Sequence, residues 1–167
     1  RPMMGEIYQR DDVYSNFHYL GNVSSNTITN NLDLSTEGGL VWIKKRSGNA
    51  SHFLFGSDRD ANNKALLTNN DGSYYGTSYS VTHSSTGFAI SSTTSGDVNE
   101  SNHEYCSWSF RKAPKFFDVV TYTGTSSAKT VNHNLGSVPG MIIIKCTSGT
   151  GNWRVYHRGL DGGNAPE

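Results

Sequence analysis

Hydrophobic positions along the chain come in short runs and alternations separated by polar turns, and no segment holds a helical repeat. From Phe17 the pattern turns extended. Residues 17–20 lead into Gly21-Asn22, and residues 26–34 set Thr27, Ile28, Leu32 and Leu34 among Asn and Thr, which predicts a strand with turn residues at its ends. Gly38-Gly39 marks a turn. Residues 40–46 (LVWIKKR) predict a buried strand that emerges into solvent at its positive charges. After the turn at 47–50, His52 and Leu54 fall on one side and Phe53 and Phe55 on the other, so the two strands should form a hairpin. Residues 56–63 (GSDRDANN) read as loop, 64–68 as a short strand, and 69–79 (NNDGSYYGTSY) as a turn rich in glycine and aromatics. Residues 87–91 (GFAIS) and 105–110 (YCSWSF) read as strands joined by a polar loop. In the second of these Cys106, Trp108 and Phe110 share one face and Tyr105, Ser107 and Ser109 the other, and one of the two faces is core.

The pattern then starts again. Residues 117–155 echo residues 17–54: Lys44 matches Lys145, Ser47 matches Ser148, and His52, Leu54 and Phe55 fall on Trp153, Val155 and Tyr156 at a constant offset. Upstream, Tyr19 meets Tyr122, Gly21 meets Gly124, Thr27 meets Thr130, Asn31 meets Asn134 and Leu32 meets Leu135, after a short insertion in the 33–38 turn of the first copy. Pro114, in the basic stretch RKAPK, resists continuation of a central strand and marks the boundary between units. The predicted organisation is an N-terminal arm or linker at 1–16, a first β-sandwich unit at 17–115, and the beginning of a second at 116–167, incomplete in this chain. In the second unit 117–123 and 129–132 should be extended and 141–146 should be a buried strand. Half a sandwich is not stable alone, so the second copy is expected to be completed by residues outside this sequence or by another chain. Turn signals at regular spacing around mixed short strands give the fold class: all-β, an antiparallel β-sandwich of jelly-roll or related type.

Composition supports short strands over helices. Apolar residues make up 34%, below the usual globular share, while Gly numbers 18 and Ser, Thr and Asn are abundant. Basic and acidic residues balance at 14 each, so no long-range field draws the chain to nucleic acid or to an anionic membrane. The longest apolar run, at 141–144, is strand-sized and predicts no membrane insertion. The chain opens on Arg1 without an apolar signal core, which points to a start inside a longer product or after processing. Cys106 and Cys146, both in predicted strands, are expected to be buried thiols.

Four segments, GGLVWIKKRSGNASHFLF, SWSFRKAPKFFDVVTYTGT, HNLGSVPGMIIIK and GNWRVYHRGL, together resemble a repeat module of tail-associated and other structural proteins of tailed bacteriophages, marine phages in particular. The resemblance spans residues 17–160. It implies a virion protein, a tail fibre, spike or decoration component, with a concanavalin- or laminin-G-like sandwich and no catalytic residues to carry over. Localisation to the phage particle, exterior or tail, follows from the same resemblance. The partners it implies are other virion proteins and copies of the chain itself in a homo-oligomer such as a trimer.

Candidate chemistry is sparse. Asp58-x-Asp60-x-Asn62 has the opening spacing of a calcium loop, but Asn63 and Asn69 stand where that loop needs Gly and Glu, so a polar solvated loop is the reading preferred. The six histidines form no metal-ligand spacing, there is no G-x-S-x-G elbow, and the carboxylates Asp58, Asp60, Asp71, Asp97, Glu100, Glu104 and Asp118 form no constellation, so neither an enzyme nor a cofactor is expected. Glycan binding has more to recommend it. Aromatic faces beside amides and carboxylates suit a sugar, and Tyr74, Tyr75 and Tyr79 share a loop with Asn70 and Asp71. The same residues suit a contact with a neighbouring subunit, or a cover for the sandwich edge. This loop adds attachment to a host-surface glycan to the virion reading, and a lectin-like glycan-binding adhesin outside a virion is the alternative.

Overall fold

The computed structural model describes residues 8–160. A single turn of helix, α1 (Arg10–Val13), precedes the strands β1 (Tyr14–Leu20), β2 (Asn26–Thr29), β3 (Gly39–Lys45), β4 (His52–Gly56), β5 (Lys64–Leu67) and β6 (Tyr75–Gly76). There follow β7 (Val81–Ser84), β8 (Gly87–Ile90), β9 (Glu104–Arg111), β10 (Met141–Ile144) and β11 (Arg154–His157). One sheet has six strands in the order β1-β9-β3-β4-β5-β6, a second has three in the order β2-β8-β7, and β10 and β11 form a separate pair. Every ladder is antiparallel, and the chain is an all-β sandwich. No helix among the described residues is long and apolar enough to cross a membrane.

The period-two pattern decides which side chains meet. On β3, Val41 and Ile43 point inward and are fully buried, and opposite them on β4 stand Phe55 and Phe53. The three-stranded sheet answers with Ile28, Val81, Phe88 and Ile90, while Leu32 and Leu34 close the core from the turn after β2. Each such side chain contributes about 1.5–3 kcal/mol by leaving water, more than an exposed ion pair supplies.

Strand β1 opens at Tyr14, ahead of the Phe17 at which the extended pattern begins, because Tyr14, Ser15 and Asn16 pair with Phe110, Ser109 and Trp108. The rest of the expected arm divides: residues 1–7 lie outside the described residues, and α1 ends with Val13 buried. On β9 the buried face is the one carrying Tyr105, Ser107 and Ser109, all at 0% exposure. Polar groups are tolerated there because each is bonded. The Tyr105 hydroxyl donates to the Gly96 carbonyl at 3.1 Å and accepts from the Glu100 N–H at 2.9 Å, and the Ser109 hydroxyl accepts from Asn30 Nδ2 at 3.0 Å. Trp108 and Phe110 face outward into an aromatic row, with Trp42 to Trp108 at 5.4 Å and Tyr14 to Phe110 at 5.2 Å.

The loop before β9 is held from inside. Asn99 is fully buried; its Oδ1 accepts from the Asn22 N–H and from Asn26 Nδ2, both at 3.2 Å, and its Nδ2 donates to the Ser24 carbonyl at 2.7 Å. The Tyr19 hydroxyl donates to the Val98 carbonyl at 2.8 Å, and buried Lys45 reaches Glu100 at 2.5 Å. Gly21 lies so close to this loop that a Cβ there would stand 2.1 Å from the Glu100 carbonyl oxygen.

After β9, an isolated bridge joins Ala113 to Phe117, and residues 118–140 contain no strand, so the extended segments expected at 117–123 and 129–132 do not form ladders. Strands β10 and β11 do form, in the register of β3 and β4: Leu40 opposite Gly56 becomes Met141 opposite His157, and Ile43 opposite Phe53 becomes Ile144 opposite Arg154. The expected burial of 141–146 is corrected. Met141, Ile142, Ile143 and Ile144 are 53%, 40%, 54% and 42% exposed, because among the described residues no second sheet covers them and β10 has a neighbour on one edge alone. Cys146 is likewise exposed, whereas Cys106 is buried. The Ser148 backbone N–H and hydroxyl hold the Cys146 thiol below its usual range, and burial pushes that of Cys106 up.

The two equivalent glycines separate close approach from mere turn formation. Gly21→Ala should destabilise the protein by about 2–4 kcal/mol in urea unfolding, whereas Gly124→Ala should be near neutral, since a Cβ at Gly124 meets nothing within 4 Å. Equal effects at the two positions would show that the Glu100 carbonyl does not press on Gly21.

Candidate functional site

The loop between β4 and β5 is built around Arg59. Its guanidinium donates to the carbonyls of Gly56 at 2.5 Å, Ala61 at 3.0 Å and Val81, and lies 5.5 Å from the centre of the Phe55 ring. Burial pulls its pKa down to about 10, leaving it charged at neutral pH. A clamp of this kind lets a loop without regular structure hold its backbone carbonyls satisfied, and it turns Asp58 and Asp60 outward.

Those carboxylates open onto a cleft of about 520 Å³ lined by Asp58, Asp60, Lys64, Ser73, Tyr74, Thr121, Thr147 and Ser148. Asp60 pairs with Lys64 at 2.6 Å, and the bond from Lys64 holds its carboxyl below the usual range. Lys64 Nζ also lies 5.9 Å from the centre of the Tyr74 ring, whose hydroxyl is pushed up by burial and then by Asp60. Asp58 pairs with Lys112 at 2.9 Å, and Lys112 reaches Asp118 at 3.7 Å. The calcium-like spacing thus ends in two separate ion pairs on either side of Arg59. One wall of the cleft is aromatic and charged, the other a row of hydroxyls: the donor and acceptor set that a polyhydroxylated ligand uses.

The five residues singled out in the aromatic loop are dispersed. Tyr74 lines the cleft. Tyr75, on β6, is 48% exposed with its ring 6.2 Å from that of Phe53. Tyr79 is 2% exposed, packed on Phe55 at 6.4 Å, with its hydroxyl 3.4 Å from Asp97 and its pKa raised by burial and by that carboxylate. It is a core residue and not part of a surface, because β7 begins two residues later and carries it between the sheets. Asn70 and Asp71 are exposed, but their backbone is engaged within the chain. Trp153 Nε1 donates to the Asn70 carbonyl at 3.0 Å, and Lys145 Nζ and the Gly151 N–H donate to the Asp71 carbonyl at 3.0 and 2.8 Å. The 145–153 turn therefore docks on this loop and supplies Thr147 and Ser148 to the cleft.

Lys64 was within reach of sequence reasoning, lying four residues after Asp60 with opposite charge. Thr121, Thr147 and Ser148 were not, since they arrive from residues remote in sequence by long-range docking.

Beside the Arg59 loop, His83 is half-buried, and its shielded Nε2 lacks a hydrogen-bond partner among the described residues. Burial first, and the Arg59 charge second, lower its pKa to about 4. That lies below the value of 6.5 for a free imidazole, so its stabilising effect is complete above pH 6.5 and is lost as pH falls toward 4. The loss should reach about 3 kcal/mol in urea titrations, and His83→Phe should flatten this limb. His52, also lowered by burial, adds a change of the same sign. A stability that stays level across this range would show that His83 is solvated.

By architecture this is an all-β sandwich with an exposed strand pair beside it and a polar cleft at the junction. The chain belongs to the family described as Domain of unknown function (DUF7483), whose model matches residues 10–165. No curated protein and no solved structure matches it.

Proposed function

We propose that the chain is a non-enzymatic structural component of a tailed bacteriophage particle, a tail fibre, spike or decoration protein that works by assembling with other particle proteins and with copies of itself. The observation that carries this reading is the exposed apolar hairpin: Met141–Ile144 and Val155 present isoleucine, methionine and valine at 40–54% exposure beside a sandwich whose own core is closed. Surfaces of this kind are covered in the assembled state or they aggregate. The resemblance of four sequence segments to phage tail modules supplies the kind of assembly. The charged groups of the first unit support a structural role as well, for Lys45, Arg59 and Lys112 are each committed to internal bonds.

Mass spectrometry of density-purified phage particles should recover peptides of this chain at the level of a multi-copy component. Recovery from the lysate but not from particles would sink the reading.

A second reading, glycan binding, is favoured by the cleft: one aromatic face, carboxylates, a lysine and four hydroxyl side chains surround a volume fit for a sugar residue. Host-surface attachment would then accompany assembly. Tyr74→Ala should lower glycan-array or host-cell binding about tenfold or more, while Tyr75→Ala, which lies outside the cleft, should leave it unchanged. Undiminished binding by Tyr74→Ala would remove the lectin reading.

A further inference from the structure

Several residues of the first unit have one evident use, to fit against its last strand and the loop before it. A Cβ on Gly39 would lie 2.3 Å from the Phe110 carbonyl oxygen, and one on Gly21 would lie 2.1 Å from that of Glu100. Tyr19 donates to the Val98 carbonyl. Val41 and Ile43 are fully buried in the core that the second sheet closes. Each has a counterpart in the second unit: Gly140, Gly124, Tyr122, Ile142 and Ile144. None of these counterparts is used in the same way. A Cβ on Gly124 would meet nothing within 4 Å, one on Gly140 would meet the Arg158 side chain at 3.3 Å, and Tyr122 is 48% exposed.

Topology locates what is absent from their surroundings. In the first unit β9 lies between β1 and β3, and it is the one ladder partner of β1. In the second unit the counterpart of β3 is β10, bonded on one edge to β11, and the counterpart of β1 forms no strand. A segment whose ladder partner is missing cannot register as a strand, so a single absent element accounts for both features.

We infer that the second unit binds a strand of the β9 type, inserted antiparallel between residues 117–123 and β10, with a hairpin like β7–β8 covering Ile142 and Ile144. The occupant is a polypeptide segment with the chemistry of residues 81–111: a hairpin with apolar side chains such as Val81, Phe88 and Ile90 inward, a last strand with a tyrosine and serines inward and aromatics outward, and an asparagine-bearing loop whose carbonyls seat on Gly124. A second copy of this chain is a poor donor, because its own β9 is hydrogen-bonded to β1 and β3 along both edges. The donor therefore carries a β9-like strand not already enclosed in a sandwich. This deepens the assembly reading by naming what covers the hairpin, and it is tested without reference to particles.

The full chain is extended after Glu167, through a flexible linker, by a second copy of its own residues 57–115, and amide hydrogen exchange is compared with that of the unextended chain. Amides of 119–123 and 141–145 should exchange about a hundredfold more slowly in the extended chain, and Gly140→Val should abolish that protection. Exchange at Val41 and Phe55 reports that the first unit is folded in both proteins. Unchanged exchange at 141–145 would overturn the inference, as would protection that survives Gly140→Val. Protection in the unextended chain that rises with its concentration would also overturn it, by making the second copy the occupant. Protection in the extended chain together with absence from particles would sink the virion role alone.

Discussion

Strand β9 is hydrogen-bonded along both edges, to β1 on one side and to β3 on the other, and the sandwich depends on that double ladder. A buried backbone N–H or carbonyl without a partner costs about as much as a lost hydrogen bond, so removing β9 would orphan two edges at once. The strand also sets the loop that precedes it. Tyr105, its first inward residue, bonds to Gly96 and Glu100, and the same loop places Asn99 where it holds Asn22, Ser24 and Asn26. One strand thus organises the inner face, the edge and the N-terminal turn.

The junction with residues 116–160 is built differently. Beside the Phe110–Phe117 ring contact at 5.4 Å, its joining contacts are polar. Lys112 sits between Asp58 and Asp118, and Trp153, Lys145 and Gly151 donate to carbonyls of the 67–71 turn. Such contacts fix orientation through directional, charge-assisted bonds. The cleft is a product of this arrangement: one wall is held by the Arg59 clamp, the other by the docked turn.

Much of the architecture was legible from pattern. The hairpin of β3 and β4 follows from LVWIKKR, a turn, and alternating phenylalanines, and β10 falls within the strand expected at 141–146. What could not be read has physical causes. The inward face of β9 is the face with two serines, and it is inward because Asn30 and the Phe17 carbonyl satisfy those hydroxyls from elements remote in sequence. Tyr79 looked like a neighbour of Tyr74 and Tyr75, yet the chain crosses between the sheets within those few residues. Cys146 and the isoleucines before it have a core pattern with no core around them, and burial depends on what lies opposite. Of the cleft, Tyr74, Asp58 and Asp60 were visible, while the hydroxyl wall depended on docking that no local pattern encodes.

The pairing of β1 with β9 joins the first strand of the unit to its last. Local hairpins such as β3–β4 and β7–β8 close over short loops, but β1 gains its ladder partner when residues 104–110 have been synthesised. During translation the N-terminal strand therefore remains an unpaired edge for nearly the whole time the unit takes to emerge, a state that invites wrong partners. The six-stranded sheet is then completed by β9, the last of its strands to be made.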